Sequence, residues 1–544
     1  MRKLSLGMIV SLLLLCLAAC QPAIDSDALA PLPKAAIEQP DNTAQPAENS
    51  IEGHGIAWFE GSVAEAFSLA ATTNKPIFMY WGAVWCPPCQ EIKHTVFKSP
   101  EFIAQTKLFI PIYLDGDTER AQSVGEEFGV KGYPTMIIFS PQGEEVTRIP
   151  GGIDISRYNS ILLSSLDTLR PTRMLVQLAL NSPDLLLATD FRQLAYYSWG
   201  QDFEALPAGT DPIMFKQLAE QVSIQDPEAS ARLYLQYLVM LAAEQDEAET
   251  GQKADAAPLF RILATPELII GTWDYLAYYA TNITRVLDLD ALALASLQNQ
   301  WQQAMLDLRH NTRLSTAEQL GGWFPYLAFY FAGDEASATL PAAQVAAIRL
   351  DAEKANQMTR NAYARQSVVN QISYLLETAG LKDEAKQLLL AELEKSAAPY
   401  YFMSNLAALA EAAGSIDESL EWRLKAYQAS TGQATRLQWG VSYVRSLIRL
   451  APQRQDEVSQ TALALINELT PHQDADGSIH DIFAGRNFRI LRRLNTDLHD
   501  WQIAADADLL GNFDARLRSL CSQQSKGSTQ RSNCQSLLAS DRPQ

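Results

Sequence analysis

The sequence predicts two structural classes in succession along 544 residues. Residues 53–168 read as an α/β domain, a central mixed sheet flanked by helices. Residues 169–544 read as a large all-α helical-repeat domain. Strand-length apolar runs alternate with helix-like segments in the first part, the signature of βα units. Strand signals nearly vanish beyond about residue 170, where Ala-, Leu-, Glu- and Gln-rich stretches carry apolar residues at three- and four-residue spacing. A short pattern in this second part also recurs after 34 residues.

Arg2 and Lys3 open the chain with positive charge, and Leu4 to Leu17 is almost wholly apolar. That run is too short for a comfortable membrane span. Leu17-Ala18-Ala19-Cys20 resembles the bacterial lipoprotein signal, which implies a signal peptide over 1–19 and lipid on Cys20. An ordinary signal peptide with a chance cysteine is the competing reading. Gln21, where an Asp would retain the protein, resembles the outer-membrane sorting pattern of Gram-negative lipoproteins. The resemblance places the protein in the cell envelope of a Gram-negative bacterium, lipid-anchored to the outer membrane and facing the periplasm. Residues 20–52, rich in Ala, Pro, Gln, Asp and Asn, read as a flexible tether.

Within the α/β segment, Ser62 is placed to cap a helix through Ala64, Phe67, Leu69 and Ala70. Pro76 to Trp81 reads as a buried strand. Cys86-Pro87-Pro88-Cys89 follows and opens a helix containing Ile92, Val96 and Phe97, with Pro88 in its first turn, where a missing amide hydrogen matters least. Leu108 to Leu114 is a second strand, and Pro111 marks it as an edge. Glu119 to Phe128 suits a helix, Thr135 to Phe139 a third strand, and Pro141-Gln142-Gly143 a turn into Val146 to Ile149. A helix over Ile153 to Leu166 closes the unit.

The cysteine pair carries the chemistry. Two cysteines with two residues between them can close a disulfide, and a helix start lowers the pKa of the first thiol. An accessible thiolate there attacks a partner's disulfide, and the second cysteine releases the mixed disulfide. Metal binding is the competitor. It needs two further ligands, and the histidines are scattered, with His94 the nearest. No metal is assigned. Asp474-Ala475-Asp476-Gly477 faintly resembles a calcium loop, but the third acidic position and the terminal Glu fail, and it reads as a turn.

Trp85-Cys86-Pro87-Pro88-Cys89 after a strand, and Gly132-Tyr133-Pro134-Thr135 about 45 residues later before another, together resemble the thioredoxin superfamily. The context Asn74-Lys75-Pro76 through Phe97 is most similar to the subgroup that includes the periplasmic C-terminal domain of the transmembrane thiol reductase. The stretch Phe128 to Thr135 is also similar to protein disulfide isomerases. The resemblance covers about a fifth of the chain. It implies that Cys86 is the attacking thiol, Cys89 the resolving one, and Cys86–Cys89 a redox-active disulfide. It also implies that Pro134 is cis and that the Tyr133 backbone pairs with a bound substrate strand, with Trp85 and Pro88 in support. No cofactor is implied. The sequence departs from the family at Tyr80, where many thioredoxins hold a buried acid, and at Val84 and Pro111, which stand where thioredoxins often carry charge. The proton of Cys89 is then left to water or to Glu91.

Of six cysteines, Cys16 would leave with the signal and Cys20 would carry lipid. Cys521 and Cys534 remain beside the redox pair and read as a structural disulfide closing a Ser- and Gln-rich loop. The net charge of −20, from 43 basic and 63 acidic residues, argues against nucleic acid as a partner and against a basic membrane-binding face.

In the helical part, Leu375, Glu377, Ala379, Gly380, Asp383 and Glu384 recur as Leu409, Glu411, Ala413, Gly414, Asp417 and Glu418. That 34-residue period resembles tetratricopeptide units. Aromatic clusters at Tyr196-Tyr197-Ser198-Trp199, Trp273 to Tyr279 and Trp323 to Tyr326 read as helix packing or as a groove for a protein partner. The expected partners are protein thiols and disulfides of the cell envelope, with a transmembrane thiol relay as electron donor. The sequence therefore predicts a cell-envelope thiol–disulfide oxidoreductase, acting as a reductant, whose helical part binds partners. The alternative is a client-binding scaffold that resembles the chaperedoxins, in which the cysteines are secondary.

Overall fold

The structure is a computed structural model, and it describes residues 55–83, 86–116, 118–149, 155–248, 251–332, 339–396, 398–469, 483, 485–505 and 508–539. The expected signal, the lipidated Cys20, the tether, Trp85 and the turn at Asp474 lie outside the described residues.

The α/β unit runs α1 (Val63–Thr73), β1 (Ile77–Gly82), α2 (Pro87–His94), α3 (Pro100–Thr106), β2 (Ile110–Asp115), α4 (Glu119–Glu127), β3 (Thr135–Phe139), β4 (Glu145–Ile149) and α5 (Ile155–Thr168). The sheet order is β2-β1-β3-β4. β1 pairs parallel with β2 and antiparallel with β3, and β3 pairs antiparallel with β4. Ser62 caps α1 through a reciprocal box with Glu65, as the pattern predicts. Pro111 lies in β2 at the sheet edge, where its missing N–H costs no ladder bond.

One expected helix is divided. The stretch through Val96 and Phe97 does not continue α2. The helix stops at His94, Val96–Lys98 form a 3-10 turn, and Ser99 caps the separate α3. The break turns Phe97 into the core, edge-on to Tyr80 with ring centroids 4.8 Å apart. His94, the histidine nearest the cysteine pair in sequence, is half-buried.

β1 is buried along its whole length, so its alternation divides the packing instead of separating core from solvent. Phe78 and Tyr80 join the core that includes Phe102, Ile161 and Leu162, whereas Ile77, Met79 and Trp81 join a second core with Ala66, Ala70 and Ala121. The first core continues without interruption into the helical region through Leu175, Phe191 and Leu194.

That region is all helical. The repeat appears as two helix pairs, Ala362–Thr378 with Lys382–Glu392 and Pro399–Ala412 with Ile416–Ala429. Gly380 and Gly414 have φ of 79° and 76°, and each sits between the helices of its pair. Leu381 N–H reaches Leu376 O and Gly380 N–H reaches Glu377 O. Ser415 and Gly414 repeat both bonds to Ala410 and Glu411. This is one helix-stop motif used twice, and it requires a residue that tolerates positive φ. The aromatic clusters are interior packing: Trp273, Tyr278, Phe324 and Tyr374 form a chain of rings with successive centroids 5.4–5.6 Å apart. Cys521 and Cys534 are disulfide-bonded, and the bridge joins two helices, Gly511–Gln523 and Thr529–Ala539, in place of the expected loop.

Ion pairs fasten α5 to the helical region. Arg157 donates to both carboxylate oxygens of Glu228, at 3.2 and 2.6 Å, and Tyr196 donates to the same carboxylate. Burial raises the Glu228 pKa, but the hydrogen bonds from Arg157 and Tyr196 outweigh it and leave the group below its ordinary value. A depressed carboxyl contributes stability above its unfolded-state pKa, and that contribution is lost as pH falls through the folded-state value. Acid titration from about pH 6 to about pH 3 is therefore expected to destabilise the wild type more than Glu228→Gln, as read by unfolding midpoints. Replacing Phe78, fully buried and ringed by Phe97, Phe102 and Phe109, with Ala is expected to cost about 3–5 kcal/mol in urea unfolding.

Candidate active site

The site forms where β1 ends and β3 begins. Antiparallel pairing sets Trp81 opposite Thr135, so the end of β1 lies beside the start of β3. That loop carries Tyr133-Pro134, joined by a cis peptide bond. Cys86, Cys89 and Tyr133 belong to one buried cluster.

Cys86 and Cys89 form a disulfide, with Cα atoms 5.2 Å apart. Cys86 is the N-cap of α2, and its Sγ accepts the Cys89 N–H at 3.3 Å. Pro87 and Pro88 occupy the first turn, where no intrahelical donor is lost. The positive end of the helix dipole therefore faces the Cys86 sulfur, which favours a thiolate there once the bridge is reduced. Gln90 braces the turn by donating from Nε2 to the Ala83 carbonyl at 3.1 Å. Tyr80, at the position where the sequence resemblance implies a buried acid, is fully buried and stacks on Tyr113 with centroids 5.7 Å apart. Lys93 Nζ lies 3.2 Å from the Tyr113 hydroxyl and 4.9 Å from its ring centroid.

The pair is not the accessible one that the sequence reading expected. Cys86 and Cys89 are each 0% exposed. Segments remote in sequence pack on the helix that carries them and on the proline loop. Helix Ala362–Thr378 packs against α2, and Ser367 Oγ donates to Glu91 Oε2 at 2.6 Å. Glu91, the sequence's candidate for managing the Cys89 proton, is thus engaged with the helical region. Gln201 donates from Nε2 to the Pro134 carbonyl at 2.9 Å, and its Oε1 lies 3.4 Å from the Thr135 hydroxyl. Tyr133 is buried, and its hydroxyl meets Gln122 Nε2 at 2.8 Å and the Gly116 carbonyl at 3.1 Å. A Cβ at Gly116 would stand 2.3 Å from the Tyr133 ring, so glycine is required there by close approach. Arg486, at the start of helix Gly485–Ala505, lies 5.7 Å from the same ring centroid.

Sequence reasoning named the cysteines and the proline loop, which the structure describes as a disulfide and a cis bond. It missed Gln201, Ser367 and Arg486, because polar residues within helical stretches carry no signal of which distant element they meet. Pro88 is half-buried in the first turn of α2, and Trp85 lies outside the described residues. No group of three or more His, Cys, Asp or Glu side chains that could hold a metal ion occurs among the described residues.

Comparison with known proteins bears on this arrangement. Residues 63–164 match the family model of a thioredoxin-like domain. The α/β unit is a thioredoxin-like domain. The chain is 26% identical over 98 residues to the thiol:disulfide interchange protein DsbD of Photorhabdus laumondii, covering 17% of this chain and 17% of that protein. It is 37% identical over 84 residues to thioredoxin H4 of Arabidopsis thaliana, covering 15% of this chain and 65% of that protein. The chain thus spans less than two thirds of the length of either relative. Among solved structures, a thioredoxin from Thermus thermophilus matches at 24% identity over 21% of this chain and 88% of its own, with a TM-score of 0.20. The thioredoxin-like domain and its Cys86–Cys89 pair together make an oxidoreductase-type unit, followed here by a large all-helical region.

Gln201→Leu removes the donor held by the buried Pro134 carbonyl. It is expected to lower stability by about 1–3 kcal/mol, as measured by urea unfolding of the full chain.

Proposed function

We propose that this protein is a cell-envelope thiol–disulfide oxidoreductase acting on protein partners, with a reducing direction. The observation that carries this reading is the Cys86 sulfur at the N-cap of α2, accepting the Cys89 amide within a thioredoxin-like domain. In the dithiol state, the Cys86 thiolate attacks one sulfur of a partner disulfide, forming a mixed disulfide and releasing the partner's other sulfur as a thiolate that takes up a proton. Cys89, losing its proton, attacks Cys86 Sγ. The Cys86–Cys89 disulfide reforms, and the partner leaves as a dithiol with two electrons gained. A donor dithiol reverses the steps to recharge the pair, and a transmembrane thiol relay is the donor that an envelope location calls for.

The lipid-anchored location rests on the Leu17 to Cys20 pattern, and partner binding by the helical region rests on its repeated helix pairs. The resemblance of that 34-residue repeat to tetratricopeptide units supports the same role.

A second reading is favoured by the burial of both sulfurs: the helical region carries the function as a client-binding scaffold, and the disulfide only supports the fold. The two readings differ in the cell. A chain carrying both Cys86→Ser and Cys89→Ser is expected to fail to restore whatever deletion removes, and full restoration would select the scaffold.

In vitro, Cys89→Ala should accumulate mixed disulfides with envelope proteins through Cys86, seen as adducts that dissolve on reduction. Absence of both adducts and insulin reduction would remove the oxidoreductase reading. The potential of the Cys86–Cys89 couple is expected near about −270 mV, as for thioredoxin-type reductants, and a value near about −120 mV would reverse the direction.

A further inference from the structure

We infer that the helical region is a built-in cap on the redox pair: helix Ala362–Thr378 closes over α2, the Ser367–Glu91 hydrogen bond latches it, and protein partners exchange only with the opened molecule. This inference rests on the oxidoreductase reading above and adds its regulation.

The geometry requires an opening step. Attack on a disulfide brings the incoming sulfur into bonding contact along the S–S axis, and the sulfurs of Cys86 and Cys89 have no exposed surface. A folded partner cannot deliver a thiol or a disulfide to atoms so enclosed. Elements far away along the chain pack on the helix that carries the sulfurs. Glu91 and Ser367 are 276 residues apart and 2.6 Å in contact, within the packing of helix Ala362–Thr378 on α2. Around the latch, Gln90, Gln366 and Ser367 are all buried. At the proline loop, Gln201 from the segment after helix Ala188–Tyr196 occupies the Pro134 carbonyl. A client strand would have to run past this same loop, so cap and client compete for one face.

The molecule also supplies a place that stays fixed. α5 is fastened to the helical region by Arg157–Glu228 and by the apolar core through Leu162 and Leu175, whereas the latch lies on α2. Opening at α2 would disturb the part of that core that holds Ile92, Val368 and Val369, and would leave the Arg157–Glu228 pair at α5 in place. If only a small fraction of molecules is open, the apparent exchange rate falls by that fraction, so a tenfold change in open population reads as a tenfold change in rate.

Ser367→Glu tests the cap. It sets a second carboxylate against Glu91, and like charges in a half-buried contact repel. The full-length wild type and variant are reduced, freed of reductant and pulsed with a polymer-linked maleimide, with labelling read at the Cys86 peptide by mass spectrometry. Insulin reduction is measured in parallel. Cys86 in the folded variant should label, and insulin should be reduced, at least about tenfold faster than in the wild type. Equal labelling in the two proteins would overturn the cap. Faster labelling without insulin reduction in either protein would retain the cap and remove the oxidoreductase reading. Equal and rapid insulin reduction in both would do the reverse. Should Ser367→Glu fail to fold, the double variant Ser367→Ala, Gln201→Ala removes both polar contacts without added charge. It is expected to label about threefold faster or more, and an unchanged rate overturns the inference.

Discussion

The packing of helix Ala362–Thr378 on α2 is the constraint on which the rest of the molecule turns. α2 holds the reactive sulfurs at its N-terminus and Glu91 on its flank, so whatever lies against this helix governs both the chemistry and its access. A disulfide at a helix start is chemically prepared by the helix itself: Sγ of Cys86 receives an amide hydrogen, and the dipole favours negative charge there. Burial acts in the opposite sense, because a thiolate away from water loses solvation. The structure combines the two, a sulfur pair prepared for exchange and enclosed by the same chain.

Two cores share the load of holding this arrangement. The buried strand β1 sends Phe78 and Tyr80 to one and Met79 and Trp81 to the other, so both meet at the strand that leads to the cysteines. The first core passes through α5 into the helices beyond. The second gathers Cys86 and Cys89 with Tyr133 in one cluster that also includes Tyr400 and Trp439 of the helical region. The α/β unit is thus embedded in the helices through both faces of its sheet. Polar groups at the boundary are matched: Arg157 with Glu228, Gln201 with Pro134 and Ser367 with Glu91. A buried charge without such a partner would cost several kcal/mol.

Much of the fold was legible because its signals are local. The apolar strand runs, the Ser62 cap, Pro111 at the sheet edge and the paired helix stops at Gly380 and Gly414 each depend on residues within one turn or one strand. The division of α2 from α3 was not read from the sequence, because apolar spacing runs through Val96 and Phe97 and the Ser99-Pro100 start of α3 lies beyond them. The bridge between Cys521 and Cys534 was expected to close a loop, because the Ser- and Gln-rich composition hid two short helices.

By itself, the sequence determined the order of the classes, the strand that delivers the cysteines, and the helix that starts at them, since backbone geometry and side-chain period act over a few residues. Tertiary structure alone decided that the sulfurs are enclosed and that Ser367, Gln201 and Arg486 stand beside the α/β unit's reactive end. The physical reason is range. A helix can present many faces to many neighbours, and only the packing of cores hundreds of residues long chooses which serine meets Glu91.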